Sequence, residues 1–235
     1  MAKKNKEISS NDLIKVKPIT ESQKTVFETY KQGKNQFLFG CAGTGKTFVS
    51  LYLALQDVMN LQTKYDKVIL VRSLIPTREI GFLPGDEEDK AALYQVPYQN
   101  MVKFMFEQPN EQSFNMLYDK LKNQGSLYFL STSFLRGLTF DNSIIIVDEC
   151  QNLNFHELDT ITTRVGQDSK IIYCGDFSQT DLMKQNEKNG LHDFLRILEE
   201  MQEFNCVEFN IGDIVRSGFV RNYLIQKTKL GMGME

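Results

Sequence analysis

The sequence has no net positive charge, no pair of cysteines at C-x-x-C spacing, only two histidines and no apolar stretch long enough to cross a bilayer. Each lack excludes something. At net charge -3 and pI near 5.6 no global positive field exists to draw in nucleic acid, so any contact of that kind must be local. Cys41, Cys150, Cys174 and Cys206 stand far apart, each beside an apolar run. That spacing excludes a clustered zinc site and reads as thiols acting as small hydrophobes in a reducing cytosol. With no signal-peptide pattern and no spanning segment, a soluble cytoplasmic protein without a membrane partner is expected. Internal repeats and low-complexity tracts are also missing.

What is present is enough for one sizeable core: 235 residues, 41% hydrophobic and 24% charged. Lys3, Lys4, Lys6, Lys15 and Lys17 make a basic N-terminal run, read either as a local nucleic-acid contact or as a solvated, flexible tail over 1–18. A single domain over 19–235 follows. Short β-branched runs recur at 36–39, 67–72, 126–130, 143–148, 170–174 and 206–211, with helical patterns between them. That rhythm predicts an α/β fold, a mainly parallel sheet flanked by helices. Residues 144–147 carry no polar alternation, as a central strand covered on both faces requires. Asn154 with Glu157 reads as a capping box opening a helix that Gly166 stops after Val165. Thr20 with Gln23 makes a second box, for a helix running towards Tyr30. Residues 76–124 hold four of the five prolines and an acidic cluster, and predict a mostly helical insert between strands.

The segment carrying most chemistry is Gly40-Cys41-Ala42-Gly43-Thr44-Gly45-Lys46-Thr47, directly after a strand and directly before an amphipathic helix through about Gln56. It predicts a phosphate-binding loop. Glycines let backbone N–H groups turn inward, the helix N-terminus adds its positive end, Lys46 reaches the β- and γ-oxygens, and the Thr47 hydroxyl is a ligand for Mg²⁺. About a hundred residues on, Ile144-Ile145-Ile146-Val147 ends in Asp148 and Glu149. Neighbours at a strand tip point in different directions, so Asp148 is expected to hold the metal's shell and Glu149 to act as general base on water. After a third strand, Gln179 in Gly175-Asp176-Phe177-Ser178-Gln179 reads either as a γ-phosphate sensor or as part of a polar turn. Gln23 offers an amide to adenine, although its capping box explains it equally. Arg216 offers a guanidinium to the transferring phosphoryl group, or an ordinary ion pair to Asp213.

Taken together, the loop at 40–47, Val71-Arg72 with Gly81-Phe82-Leu83-Pro84-Gly85, Pro97-Tyr98, Arg136-Gly137, Asp148-Glu149-Cys150-Gln151-Asn152, Gly175-Asp176 with Gln179-Thr180-Asp181-Leu182, and Asp213-Ile214-Val215-Arg216 resemble the PhoH-like family. The resemblance runs from about 19 to 225. It implies a RecA-like P-loop ATPase related to superfamily 1 helicases, with links to RNA or DNA metabolism and, in bacteria, to phosphate starvation. On it, Gln23 is the adenine-reading glutamine, Asp148 and Glu149 the Walker B pair, Gln179 the γ-phosphate sensor and Arg216 the late arginine. Arg72 and Arg136 are the candidate nucleic-acid contacts. The sequence departs from the family at Cys41, often proline, at Arg136-Gly137-Leu138-Thr139, which lacks a usual second arginine, and at Ser217-Gly218 in place of His-Pro. None of these departures touches the phosphate chemistry. The resemblance implies a minimal, phage-borne form, acting in the cytosol of a bacterium or an infected host.

Superfamily 1 helicases close ATP between two lobes of one chain, and 235 residues hold one. The expectation is therefore a ring of identical copies, a hexamer, in which Arg216 reaches ATP across each interface. The cofactors expected are ATP and Mg²⁺, and the partners RNA or single-stranded DNA. A nucleotide-gated scaffold that moves nothing is the main rival reading. A small-molecule kinase is a third, disfavoured because Glu149 and Gln179 suit an attacking water better than an acceptor hydroxyl.

Overall fold

The computed structural model describes residues 7–73, 87–132, 135, 137–177 and 190–230. Six strands form one sheet: β1 (Asn35–Gly40), β2 (Lys67–Arg72), β3 (Leu127–Ser131), β4 (Ser143–Val147), β5 (Lys170–Gly175) and β6 (Phe204–Phe209). All five pairings are parallel, in the order β3-β2-β4-β5-β1-β6. The fold is the α/β sheet that the sequence predicts. Every predicted strand is present, and the last is displaced by two residues towards the N-terminus.

Alternation explains why the four inner runs are strands buried on both faces. Ile144 and Ile146 enter one core cluster, with Leu38, Val68 and Leu70 beside them. Ile145 and Val147 enter the other, with Phe37, Phe39, Ile69 and Val71. Each such side chain stabilises the fold by about 1.5–3 kcal/mol relative to an exposed position. The first cluster is covered by α1 (Glu21–Lys31), α2 (Lys46–Met59), α3 (Glu87–Met105) and α4 (Glu111–Asn123); the second by α5 (Phe155–Thr162) and α6 (Leu191–Glu200). A last helix, α7 (Gly218–Lys229), follows β6 and is largely exposed.

Three local expectations change on contact with tertiary structure. Residues 7–18, expected as part of a flexible tail, are packed: Ile8 and Leu13 are buried, and the Ile14 N–H donates to Met105 O at 2.8 Å. Lys3, Lys4 and Lys6 lie outside the described residues. The helix opened by Asn154 has its reciprocal box with Glu157, but ends at Thr162 instead of Val165. There the Phe140 N–H donates to Arg164 O and the Gly166 N–H to Phe140 O, both at 2.9 Å, so strand-like bonds replace the last turn. In α1, Thr20 accepts from the Gln23 N–H as predicted, yet the Gln23 side chain does not return to its cap. The insert between β2 and β3 is helical in its described part, as α3 and α4.

The register places the C-terminal ends of the strands along one edge. Gly40 pairs with Phe209, Phe39 with Gly175, and Val147 with Val71 and Tyr173. Because β5 lies between β1 and β4, its last residues stand between whatever follows those two strands.

Candidate nucleotide site

The loop after β1 is built for close backbone approach. Gly40 has φ +119°, and a Cβ there would stand 2.1 Å from Phe209 O, so only glycine fits between β1 and β6. Gly45, the N-cap of α2, lies in the left-handed region at φ 85° and no side chain caps it. The first-turn amides of α2 therefore face the loop without a side-chain acceptor, which is the arrangement that binds anions.

Lys46 folds back over this loop and is 4% exposed. Its Nζ donates to Cys41 O at 2.7 Å, to Gly40 O and Thr44 Oγ1 at 3.3 Å, and pairs with Asp176 Oδ1 at 2.7 Å. Asp176 follows β5, so the lysine is drawn towards the strand that separates the loop from Asp148 and Glu149.

Asp148 is buried and held by both oxygens: Thr47 Oγ1 donates to Oδ1 at 2.8 Å and Tyr98 OH to Oδ2 at 2.7 Å. Its backbone N–H donates to Val71 O at 3.0 Å, which ties the tip of β4 to β2. Burial raises the Asp148 pKa, and the bonds from Tyr98 and Thr47 and the charge of Arg72 oppose that rise. Glu149 has left-handed backbone, φ 53°. Its carboxyl is also raised, first by burial and then by the charges of Asp148 and Asp176; a bond from Gln151 and the charge of Arg72 act the other way. A carboxylate raised by desolvation is a stronger proton acceptor, the property needed of a general base.

These groups line one cleft of about 710 Å³, together with Gln23, Gly43, Arg72, Tyr98 and Arg216. A hollow of about 970 Å³ lies between α5 and α6, lined by Asn154, Asp193, Arg196 and Glu199 among others. It gathers neither loop amides nor convergent carboxylates, so the smaller cleft is the candidate site.

The structure brings Lys46, Thr47, Asp148, Glu149, Gln23 and Arg216 to one cleft. Gln179, Arg136 and the 81–85 motif lie outside the described residues. Arg72 lines the cleft beside Asp148 and Glu149, with its guanidinium carbon 5.4 Å from the centre of the Tyr94 ring. One placement differs from expectation. Arg216 packs against the loop of its own chain: a Cβ on Gly43 would meet its Cγ at 2.9 Å, and the neighbouring Val215 N–H donates to Gly43 O at 3.1 Å. No second copy is needed to bring it there. Asp213 instead engages Ser22 Oγ at 2.9 Å and the Asn210 N–H at 2.8 Å. Gln23 is buried, with Oε1 accepting from the Ile19 N–H and Nε2 donating to Thr44 O, each at 3.0 Å. One lone pair and one N–H of its amide are left beyond those two bonds. Tyr98, Gln151 and Asp176 join the site without having been assigned a role from sequence. All three sit inside quoted motifs, which is the signal that could have singled them out.

The family model for PhoH-like proteins matches residues 15–226. The chain belongs to the PhoH-like family. It is 32% identical over 207 residues to a PhoH-like protein of Synechocystis sp., covering 88% of this chain and 60% of that one. With a Bacillus subtilis PhoH-like protein it shares 31% over 234 residues, 94% of this chain and 70% of the other, and with Escherichia coli Protein PhoH 33% over 190 residues, 80% and 51%. The chain thus spans roughly half to two thirds of the length of these relatives. Among solved structures, the large terminase of a thermophilic bacteriophage superposes with TM-score 0.51 at 11% identity, over 90% of this chain and 50% of that one. That likeness is one of fold. Together with the loop geometry, family membership makes this chain a P-loop NTPase. Among the described residues no helix is long and apolar enough to cross a membrane.

Thr47 and Asp148 fit a Mg²⁺ site. A hydroxyl and a carboxylate oxygen lie 2.8 Å apart beside the phosphate loop, the hard-oxygen donor set that Mg²⁺ shares with substrate phosphates and water. Among the described residues no three His, Cys, Asp or Glu converge, so phosphate and water would supply the remaining ligands.

Proposed function

We propose that this domain binds ATP in the cleft and hydrolyses it with Mg²⁺, and that the cycle drives remodelling or unwinding of RNA or single-stranded DNA. The observation that carries the hydrolytic part is the convergence of Lys46, Thr47, Asp148 and Glu149 at one sheet edge. The loop amides and Lys46 bind the phosphates, Thr47 and Asp148 hold Mg²⁺, and Glu149 accepts the proton of the attacking water. Bound Mg²⁺ supplies charge neutralisation of the phosphate oxygens. Gln23, with its remaining donor and acceptor, reads adenine while bracing Thr44. Arg72 and Arg216 flank the cleft and stabilise negative charge on the transferring group in cis. Gln179 completes this assignment as the γ-phosphate sensor carried over from the family motif.

The nucleic-acid part rests on the family's relation to helicases. A ring, a hexamer of identical copies, is part of the same proposal. Its support is α7, whose Leu224 lies against Gly43 of the loop and which exposes Phe219 (83%) and Tyr223. The rival, a nucleotide-gated scaffold, shares every feature but translocation.

Steady-state hydrolysis of MgATP tests the site: Lys46→Ala and Glu149→Gln each lower kcat by roughly a hundredfold or more, the scale of losing a major transition-state contact. Wild-type rates in either variant would remove the assignment. RNA or DNA that accelerates hydrolysis supports the motor reading over the scaffold, and native mass with and without ATP measures the ring.

A further inference from the structure

Gln151 lies two residues beyond Glu149, in the 3-10 turn Cys150–Asn152, and its side-chain amide is committed at both ends. Nε2 donates to Glu149 Oε2 at 2.5 Å, and Oε1 accepts from the backbone N–H of Asp176 at 3.1 Å. Turned over, the amide would set oxygen against a carboxylate and NH₂ against an N–H, so its two neighbours fix which way it points. The Asp176 side chain pairs with Lys46 at 2.7 Å. One chain of contacts therefore runs from the Glu149 carboxylate, through Gln151, to the main chain of the residue whose side chain holds the loop lysine. The sheet order makes this possible, because β5 lies between β1 and β4.

We propose that Gln151 is a positioning residue for hydrolysis, holding the Glu149 carboxylate at the angle from which it takes a proton from the attacking water. It also registers the end of β4 against the end of β5, so that base and lysine keep their spacing across the γ-phosphate position. The proposal rests on the reading of Glu149 as the base. Gln151 does not line the cleft and carries no ionisable group, so its effect passes through Glu149. A carboxylate free to rotate misplaces its oxygen by an ångström or more, which costs up to about a hundredfold in rate.

The test is a double-mutant cycle on MgATP hydrolysis in the full chain, with ATP affinity measured separately by calorimetry. Gln151→Leu is expected to lower kcat about 10- to 100-fold, with KM and ATP affinity within about threefold of wild type. In single-turnover assays on a Glu149→Gln background, the same change is expected to cost no more than about twofold, because its target is gone. Gln151→Glu preserves the shape but sets an acceptor against Glu149 Oε2, and gives the same kcat loss even where the leucine variant fails to fold. A normal kcat in Gln151→Glu, or equal losses with and without Glu149, overturns the positioning role. If Glu149→Gln itself hydrolyses ATP at the wild-type rate, the base assignment falls first and this proposal falls with it.

Discussion

Lys46 shows at the residue scale what the sequence reveals and what only the fold supplies. Its place in the loop motif announces a phosphate ligand, but its partner Asp176, 2.7 Å away, follows a strand and stands 130 positions further on. A phosphate entering the loop must compete with that carboxylate for the lysine. Asp176→Asn is therefore expected to tighten ATP binding about fivefold, the equivalent of ~1 kcal/mol for a partly exposed ion pair. Calorimetric titration checks this, and an unchanged or weaker affinity would contradict it. Thr47, Asp148 and Glu149 were legible because each belongs to a short motif with a mechanism of its own. Tyr98 was not, because its hydroxyl meets Asp148 across 50 residues of sequence. Gln23 is an intermediate case: local spacing predicts a reciprocal cap, and a contact to Thr44 wins its side chain instead.

At the scale of elements, the four inner strands were readable because a parallel sheet covered on both faces leaves nearly unbroken apolar runs. Helix ends were less so. The α5 start follows from a local box, whereas its end depends on Phe140 and Gly166 pairing across a turn that the helical pattern does not encode. Residues 7–18 read as a tail because their charges dominate the pattern, yet Ile8 and Leu13 bury against the helical layer. Two substitutions separate element stability from site geometry. Gly40→Ala, whose Cβ would meet Phe209 O at 2.1 Å, is expected to prise β1 from β6, lower Tm and weaken MgATP binding together. Asn154→Ala removes only a helix cap, about 1 kcal/mol, and lowers Tm by roughly 2–4 °C with binding unchanged. Thermal melts and titrations on the pair distinguish the two; equal binding by both variants would mean that the β1–β6 contact does not set the loop.

At the scale of the whole molecule, the sheet order turns scattered motifs into one site. β5 enters between β1 and β4, so Asp176 stands between the phosphate loop and the Walker B carboxylates. Arg72 from β2 and Arg216 after β6 close the cleft from either side within a single chain. Strand order is a long-range property, which is why the sequence indicated the participants but not that Arg72 and Arg216 reach one cleft of the same chain. The account rests most heavily on this cleft being a triphosphate site with Lys46 at its centre. Isothermal titration of the full chain with ATP and Mg²⁺ tests that most directly. One ATP bound per chain, with the heat abolished in Lys46→Ala, is the result predicted; no heat from either ATP or ADP with the folded wild-type protein would contradict it.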